Sequence, residues 1–188
     1  MVQSIWAITG RPGIGKSKSI NYIVNSLSKS GYKLGGILKR NIKENGKRTG
    51  FQIVYISTGK TGTLATINGK LGPRFGKYRI NLSDISNVGV TAINSAREYS
   101  DVVICDEIGP MELYNLDFCQ SIELLLNCNK PVICSIQSKF KHPIINKIIN
   151  SSNSKIINLT KENRNDIRKP LLTEIINNLD NEIEQNRC

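Results

Sequence analysis

Histidine occurs once in the 188 residues, at His142. Ser–His and Cys–His mechanisms need an imidazole beside the nucleophile, so both are set aside. A surface role is expected for His142, in a loop-like stretch before Pro143. The five cysteines (Cys105, Cys119, Cys128, Cys134 and Cys188) are odd in number and form no C-x-x-C pair. They read as free thiols in a reducing cytoplasm, not as a disulfide frame or zinc site. No apolar run approaches the ~20 residues of a membrane span. The N-terminus lacks a charged segment followed by an apolar one, so secretion is not expected either. Aromatic residues are 6% of the chain, which leaves few rings on which a single strand of nucleic acid could stack. Acids are scarce in one region above all. Residues 29–79 hold Glu44 alone against twelve Lys/Arg, so this block carries the whole surplus of +11. Such a block attracts nucleotide phosphates or nucleic acid; an ordinary solvated face would look the same.

What the chain does have is enough apolar residue, 39%, for a globular core. Its length suits one domain spanning 1–188. No internal repeat, low-complexity linker or break in composition divides it.

The most informative stretch is Gly10-Arg11-Pro12-Gly13-Ile14-Gly15-Lys16-Ser17, which fits G-x-x-x-x-G-K-[ST] at every fixed position. Before it, Ser4–Thr9 reads as a short buried strand. After it, apolar residues at Ile20, Ile23, Val24 and Leu27 have helical spacing, and Gly31 is a stop. Strand, glycine loop and helix make a phosphate cradle: successive backbone N–H groups point at one anion, and the helix N-terminus adds partial positive charge. Lys16 would reach the β- and γ-phosphates and Ser17 would ligate Mg²⁺.

The second chemical stretch follows Val102-Val103-Ile104-Cys105, an apolar run expected of a central parallel strand. It ends in Asp106-Glu107. Carboxylates at the end of a buried strand are costly unless they meet a cation or donors. Asp106 is expected to hold Mg²⁺. Glu107, pointing to the other face, would act as general base on the attacking water. Alone this pattern is weak; with the phosphate loop upstream it is strong.

The rest completes an α/β pattern. Leu34–Asn41, residues 50–56 and Thr63–Ile67 read as strands, with Asn45-Gly46 a strong hairpin signal. Asn68–Lys77 is a glycine-rich loop that presents Arg74 and Lys77 to a ligand or merely turns a corner; Arg74 is a candidate for the γ-phosphate. Tyr78–Asn81 reads as a strand, and Ser83 as the N-cap of a helix to about Tyr99 with Val88, Ala92, Ile93 and Ala96 on one face. Phe118–Leu126 reads as a helix, Pro131–Ile136 as a buried strand, Lys155–Leu159 as a last strand and Pro170–Leu179 as a final helix that frays from Asp180 onward. Gln137, at the end of the Pro131 strand, is either beside the γ-phosphate and attacking water or an ordinary strand-end amide. Lys139, Lys141 and His142 read as loop, and Thr160–Arg164 as a polar link.

With these residues in view, the chain resembles the small nucleoside-triphosphatases first described from thermophiles, related in fold to the RecA/KaiC-like ATPases. The segments that carry the likeness are Thr9–Ser17, Gly35–Leu38, Lys47–Phe51, Gly72–Tyr78, the distinctive string Asp106–Glu112, Lys130–Ile133 and Leu159–Arg164. The resemblance implies a RecA-like core: a mostly parallel sheet flanked by helices, with an antiparallel meander after the first helix. It implies Mg²⁺-dependent hydrolysis of ATP, GTP and other triphosphates to diphosphate and phosphate, and it brings Arg164 into the set of nucleotide-binding residues. Two departures stand out. Ser17-Lys18 replaces the family's usual pair of threonines, which keeps the hydroxyl at Ser17 and puts Lys18 in the neighbourhood of the α-phosphate, and Gln137 stands where histidine is often found.

A slow, broad-specificity triphosphatase, acting as a monomer, is the expectation. A P-loop kinase moving the γ-phosphate to a small molecule or nucleic acid is the alternative; Glu107 beside Asp106 leans toward hydrolysis. A nucleic-acid-binding ATPase module is permitted by the basic block and disfavoured by the scarcity of aromatics.

Overall fold

The structure, a computed structural model, describes residues 3–185; Cys188, read above as a free thiol, lies outside them. Among the described residues nine strands form one sheet in the order β5-β6-β4-β3-β2-β7-β8-β1-β9. β2 (Leu34–Glu44), β7 (Val102–Ile108), β8 (Val132–Ile136), β1 (Ile5–Gly10) and β9 (Ser154–Leu159) run parallel, each bonded to the next. β3 (Lys47–Tyr55), β4 (Thr61–Thr66), β6 (Tyr78–Ile80) and β5 (Arg74–Phe75) extend the sheet antiparallel from β2.

The side-chain period of two divides each parallel strand between two cores. Ile5, Ala7, Val103, Cys105, Val132 and Cys134 face one core, with α3 (Thr91–Tyr99), α4 (Leu116–Leu126) and α5 (Pro143–Asn150). Trp6, Ile8, Val102, Ile104 and Ile133 face the other, with α1 (Lys16–Lys29) and α6 (Arg168–Gln185). Helices on both faces explain why β1, β7 and β8 are buried along their length without alternation. Among the described residues no helix is long and apolar enough to cross a membrane.

The Asn45-Gly46 hairpin is present: Asn45 has φ 50° and Gly46 φ 75°, and Glu44 pairs with Lys47 across the turn. Positive φ at both central residues matches the right-handed twist of the strands. Three local readings are corrected and one helix is added. The helix after β6 is capped by Asn81, whose Oδ1 accepts the Asp84 N–H at 3.1 Å, and not by Ser83; α2 (Leu82–Asp84) leads through a π-helical turn, Ile85–Val90, into α3. Arg74 and Phe75 leave the glycine-rich loop to pair with Arg79 and Tyr78. Residues after His142 form α5, with Pro143 in its first turn and the His142 Nδ1 accepting the Ile144 N–H at 3.3 Å. His142 is thus a helix cap. Finally, α6 continues to Gln185, with Leu171, Ile175 and Leu179 buried.

Candidate active site

The carboxyl ends of the parallel strands lie along one edge of the sheet, where α/β folds bind ligands. Gly10 ends β1 there and the cradle follows. Gly13 and Gly15 have φ 77° and 118°, a region costly for residues with a Cβ, and a Cβ at either would stand in open space. Gly15 is the N-cap of α1 and offers no side chain to its free N–H groups. These donors therefore remain for an anion.

Two clefts flank the loop. One, of about 570 Å³, is lined by Lys16, Ser17, Lys18, Lys39, Glu107 and Gln137, among others. The second, of about 680 Å³, is lined by Gly10, Arg11, Ile14, Lys139, Lys161 and Glu162, among others. Pro12 and Gln137 line both, and Gly13 and Gly15 the first.

Glu107 and Asp106 do not diverge as regular strand alternation would have them. The register of β7 on β8 shifts between Cys105 and Ile108, and both acids end beside the cradle. Lys16 Nζ lies 3.3 Å from Glu107 Oε1, an ion pair without a well-formed hydrogen bond. Lys39, from β2, donates to Glu107 Oε2 at 2.8 Å and to Glu112 Oε1 at 3.0 Å. Burial pushes the Glu107 carboxyl up, but the Lys39 and Lys16 ammonium groups outweigh it and hold the group below its usual range. Glu112 is raised by burial, against the pull of Lys39. For Lys39, burial alone would lower the pKa; the two carboxylates raise it instead.

Asp106 is 1% exposed. Its Oδ1 accepts from the Ser135 hydroxyl at 2.6 Å, and its Oδ2 makes no well-formed hydrogen bond among the described residues, with the Ser17 hydroxyl nearby. Burial raises its pKa, opposed by the hydroxyls of Ser135 and Ser17. Three carboxylate oxygens on these acids, Asp106 Oδ2, Glu107 Oε1 and Glu112 Oε2, are buried without a hydrogen bond. Such acceptors are costly to leave unpaired, and their concentration beside the cradle fits a site built for a cation and donors. Gly109 allows the arrangement: a Cβ there would come within 3.1 Å of Glu112 Oε2 and 3.2 Å of Glu107 Cδ.

The sequence-expected residues Gly10 through Lys18, Asp106, Glu107 and Gln137 are thus gathered around one loop. Arg74 and Arg164 are not. Arg74 is exposed on β5, and Arg164 is exposed in a turn closed by Thr160 and Asn163; neither lines these clefts. Sequence reasoning missed Lys39, Ser135 and the pairing of Glu112. A lysine following the apolar run Ile37-Leu38 was the one local signal for Lys39.

Comparison with known proteins accords with this geometry. The nucleoside-triphosphatase THEP1 of Methanosarcina acetivorans is 36% identical over 174 residues, covering 92% of this chain and 97% of the relative. THEP1 of Thermofilum pendens is 35% identical over 176 residues, covering 93% and 97%. The solution structure of a human cancer-related nucleoside triphosphatase superposes with a TM-score of 0.78 at 27% identity, over 93% of this chain and 97% of that one. The crystal structure of THEP1 from the hyperthermophile Aquifex aeolicus, at 24% identity, shares the fold with a TM-score of 0.77 over 90% and 97%. A family model described as NTPase matches residues 6–172, and the chain therefore belongs to this NTPase family.

Proposed function

We infer that the protein binds a nucleoside triphosphate on the Gly10–Ser17 loop and hydrolyses it to diphosphate and phosphate. The observation that carries this reading is the meeting of the Lys16 ammonium and the Glu107 carboxylate, 3.3 Å apart, in the cleft at the head of α1. The loop and Lys16 hold the phosphates. Glu107 reaches only the first of the two clefts, so the phosphate to be cleaved lies there and the nucleoside is directed toward the second. Glu107 orients the attacking water and takes up its proton, while Lys39 and Glu112 fix the carboxylate in place. The exposed side chains of Arg11, Lys139, Lys161 and Glu162 around the second cleft can turn to different bases, which supports broad specificity.

Mg²⁺ fits the donors present. Ser17 and Asp106 would hold it. Among the described residues no group of three or more His, Cys, Asp or Glu could form a metal cage, and Mg²⁺ commonly makes do with one or two protein ligands plus substrate phosphates. When bound it neutralises charge on the phosphate oxygens. We further propose that residues 1–188 act as one domain, which the single continuous sheet supports, that this domain acts as a monomer, and that the protein is cytoplasmic. Phosphate release from each common triphosphate, with and without Mg²⁺, tests the reading; no release from any of them would overturn it.

A further inference from the structure

The cleft that receives the terminal phosphate continues past Glu107 onto the meander. Its outer wall holds Arg40, Arg48, Phe51, Phe75, Lys77 and Tyr78. None of these groups has a part in the hydrolysis proposed above. Six lining side chains are cations and one is an acid. Lys16 and Lys18 face the triphosphate and Lys39 is held by Glu107 and Glu112. Arg40, Arg48 and Lys77 form no ion pair among the described residues, so a cationic surplus lies beyond the triphosphate's end.

The same wall is aromatic. Arg48 Cζ lies 4.9 Å from the centroid of the Phe51 ring, and its Nε donates to the Tyr78 hydroxyl at 3.2 Å. Phe51 and Tyr78 meet edge to face at 5.2 Å, and Lys77 Nζ is 5.4 Å from the Tyr78 ring. Phe75 is left 36% exposed at the rim. An acidic peptide would match the cations and leave the rings uncovered. A nucleotide matches both, since its base stacks on rings and guanidinium planes while its phosphate takes the fork of an arginine. The triphosphate's own base is directed away, toward the second cleft.

We propose that the outer half of this cleft is a second subsite, which binds a nucleotide 5′-phosphate. Its base stacks on Phe75 and the Arg48–Phe51 pair, and its phosphate lies between Arg48 and Lys77. A free nucleoside monophosphate and the 5′ end of a strand share this chemistry. The proposal rests on the triphosphatase reading only for the direction in which the triphosphate lies.

The test uses the full chain with Mg²⁺ and a saturating non-hydrolysable ATP analogue. Labelled adenosine monophosphate and a labelled 5′-phosphorylated trinucleotide are titrated separately and read by fluorescence anisotropy. Saturable binding with the analogue still bound is expected. It should weaken at least about tenfold in the Arg48→Gln/Lys77→Gln double variant and in Phe75→Ala. ATP hydrolysis and analogue affinity should be unchanged in both, because these side chains lie on the outer wall. Binding of the monophosphate assigns the subsite to free nucleotides; binding of the trinucleotide alone assigns it to strand ends. The proposal is overturned if neither probe binds, if both displace the analogue, or if the variants bind as the parent does. Probe binding by a protein that releases no phosphate from ATP would count against the triphosphatase reading and leave the subsite standing.

Discussion

A triphosphate that takes up the Lys16 ammonium draws it away from Glu107 Oε1, 3.3 Å distant. Lys39, 2.8 Å from Oε2, then becomes the main counter-ion of that carboxylate. The two lysines therefore separate in their expected effects. Lys16→Ala should abolish hydrolysis and sharply weaken triphosphate binding, while circular dichroism shows an unchanged fold, because Glu107 keeps Lys39. Near-normal turnover in that variant would contradict the assignment. Glu107→Gln keeps the shape and removes the charge. It should bind ATP with Mg²⁺ while turnover falls by ~10²–10⁴-fold, the usual contribution of a positioned general base; loss of binding along with turnover would make Glu107 a metal or structural ligand. Asp106→Asn should raise the Mg²⁺ concentration needed for half-maximal rate, and chelation should stop the parent enzyme until Mg²⁺ returns. Full activity without divalent ions would sink the metal assignment. At this scale the cradle and the Asp106-Glu107 pair were legible because each is a run of consecutive residues. Lys39 was not: its partners Glu107 and Glu112 lie 68 and 73 positions away, and only the fold brings them together.

Among the elements, the meander is where local reading met its limit. A glycine-rich stretch reads as loop, since short strands carry no periodicity. β5 is only two residues long, Arg74 and Phe75, and exists because Tyr78 and Arg79 lie opposite. That pairing leaves Arg74 exposed while Phe75 and Lys77 turn into the cleft. Arg74→Ala is accordingly expected to change turnover and nucleotide affinity by less than about twofold, as surface substitutions do. A larger loss in steady-state kinetics would restore Arg74 to the γ-phosphate. Helix α5 was missed for another reason. Lys139, Lys141 and His142 read as loop, and the signal lay after them, in Pro143 at the helix start and in Ile144, Ile145 and Ile148, all buried. The central strands β1, β7 and β8 were legible because burial on both faces forces apolar runs, whereas β9, at the sheet edge, is buried only at Ile157 and Leu159.

For the whole molecule, composition was a poor guide to position. Aromatics are few, yet Phe51, Phe75 and Tyr78 converge on one cleft with cations from the basic block. The order of the strands was likewise hidden, since pairing between distant segments leaves no local trace. β1 lies between β8 and β9, with Ile5 opposite Val132 on one side and Ser154 on the other. A fragment of residues 1–130 lacks both neighbours. It should show no triphosphate binding by equilibrium dialysis and no cooperative melting transition; retained binding would mean that the cradle forms without its flanking strands.

The same order sets a timetable for synthesis. The phosphate loop leaves the ribosome more than a hundred residues before either strand that supports it, so the most chemically specific part of the chain waits unpaired while the meander and α4 are made. Long-range pairing of this kind folds slowly and exposes apolar strands in the interval. Ile5, Trp6, Ala7 and Ile8, all but inaccessible in the finished protein, are thus open to chaperones for most of translation. Nucleotide can become a ligand, and a stabiliser of the fold by mass action, only once the last strand has arrived.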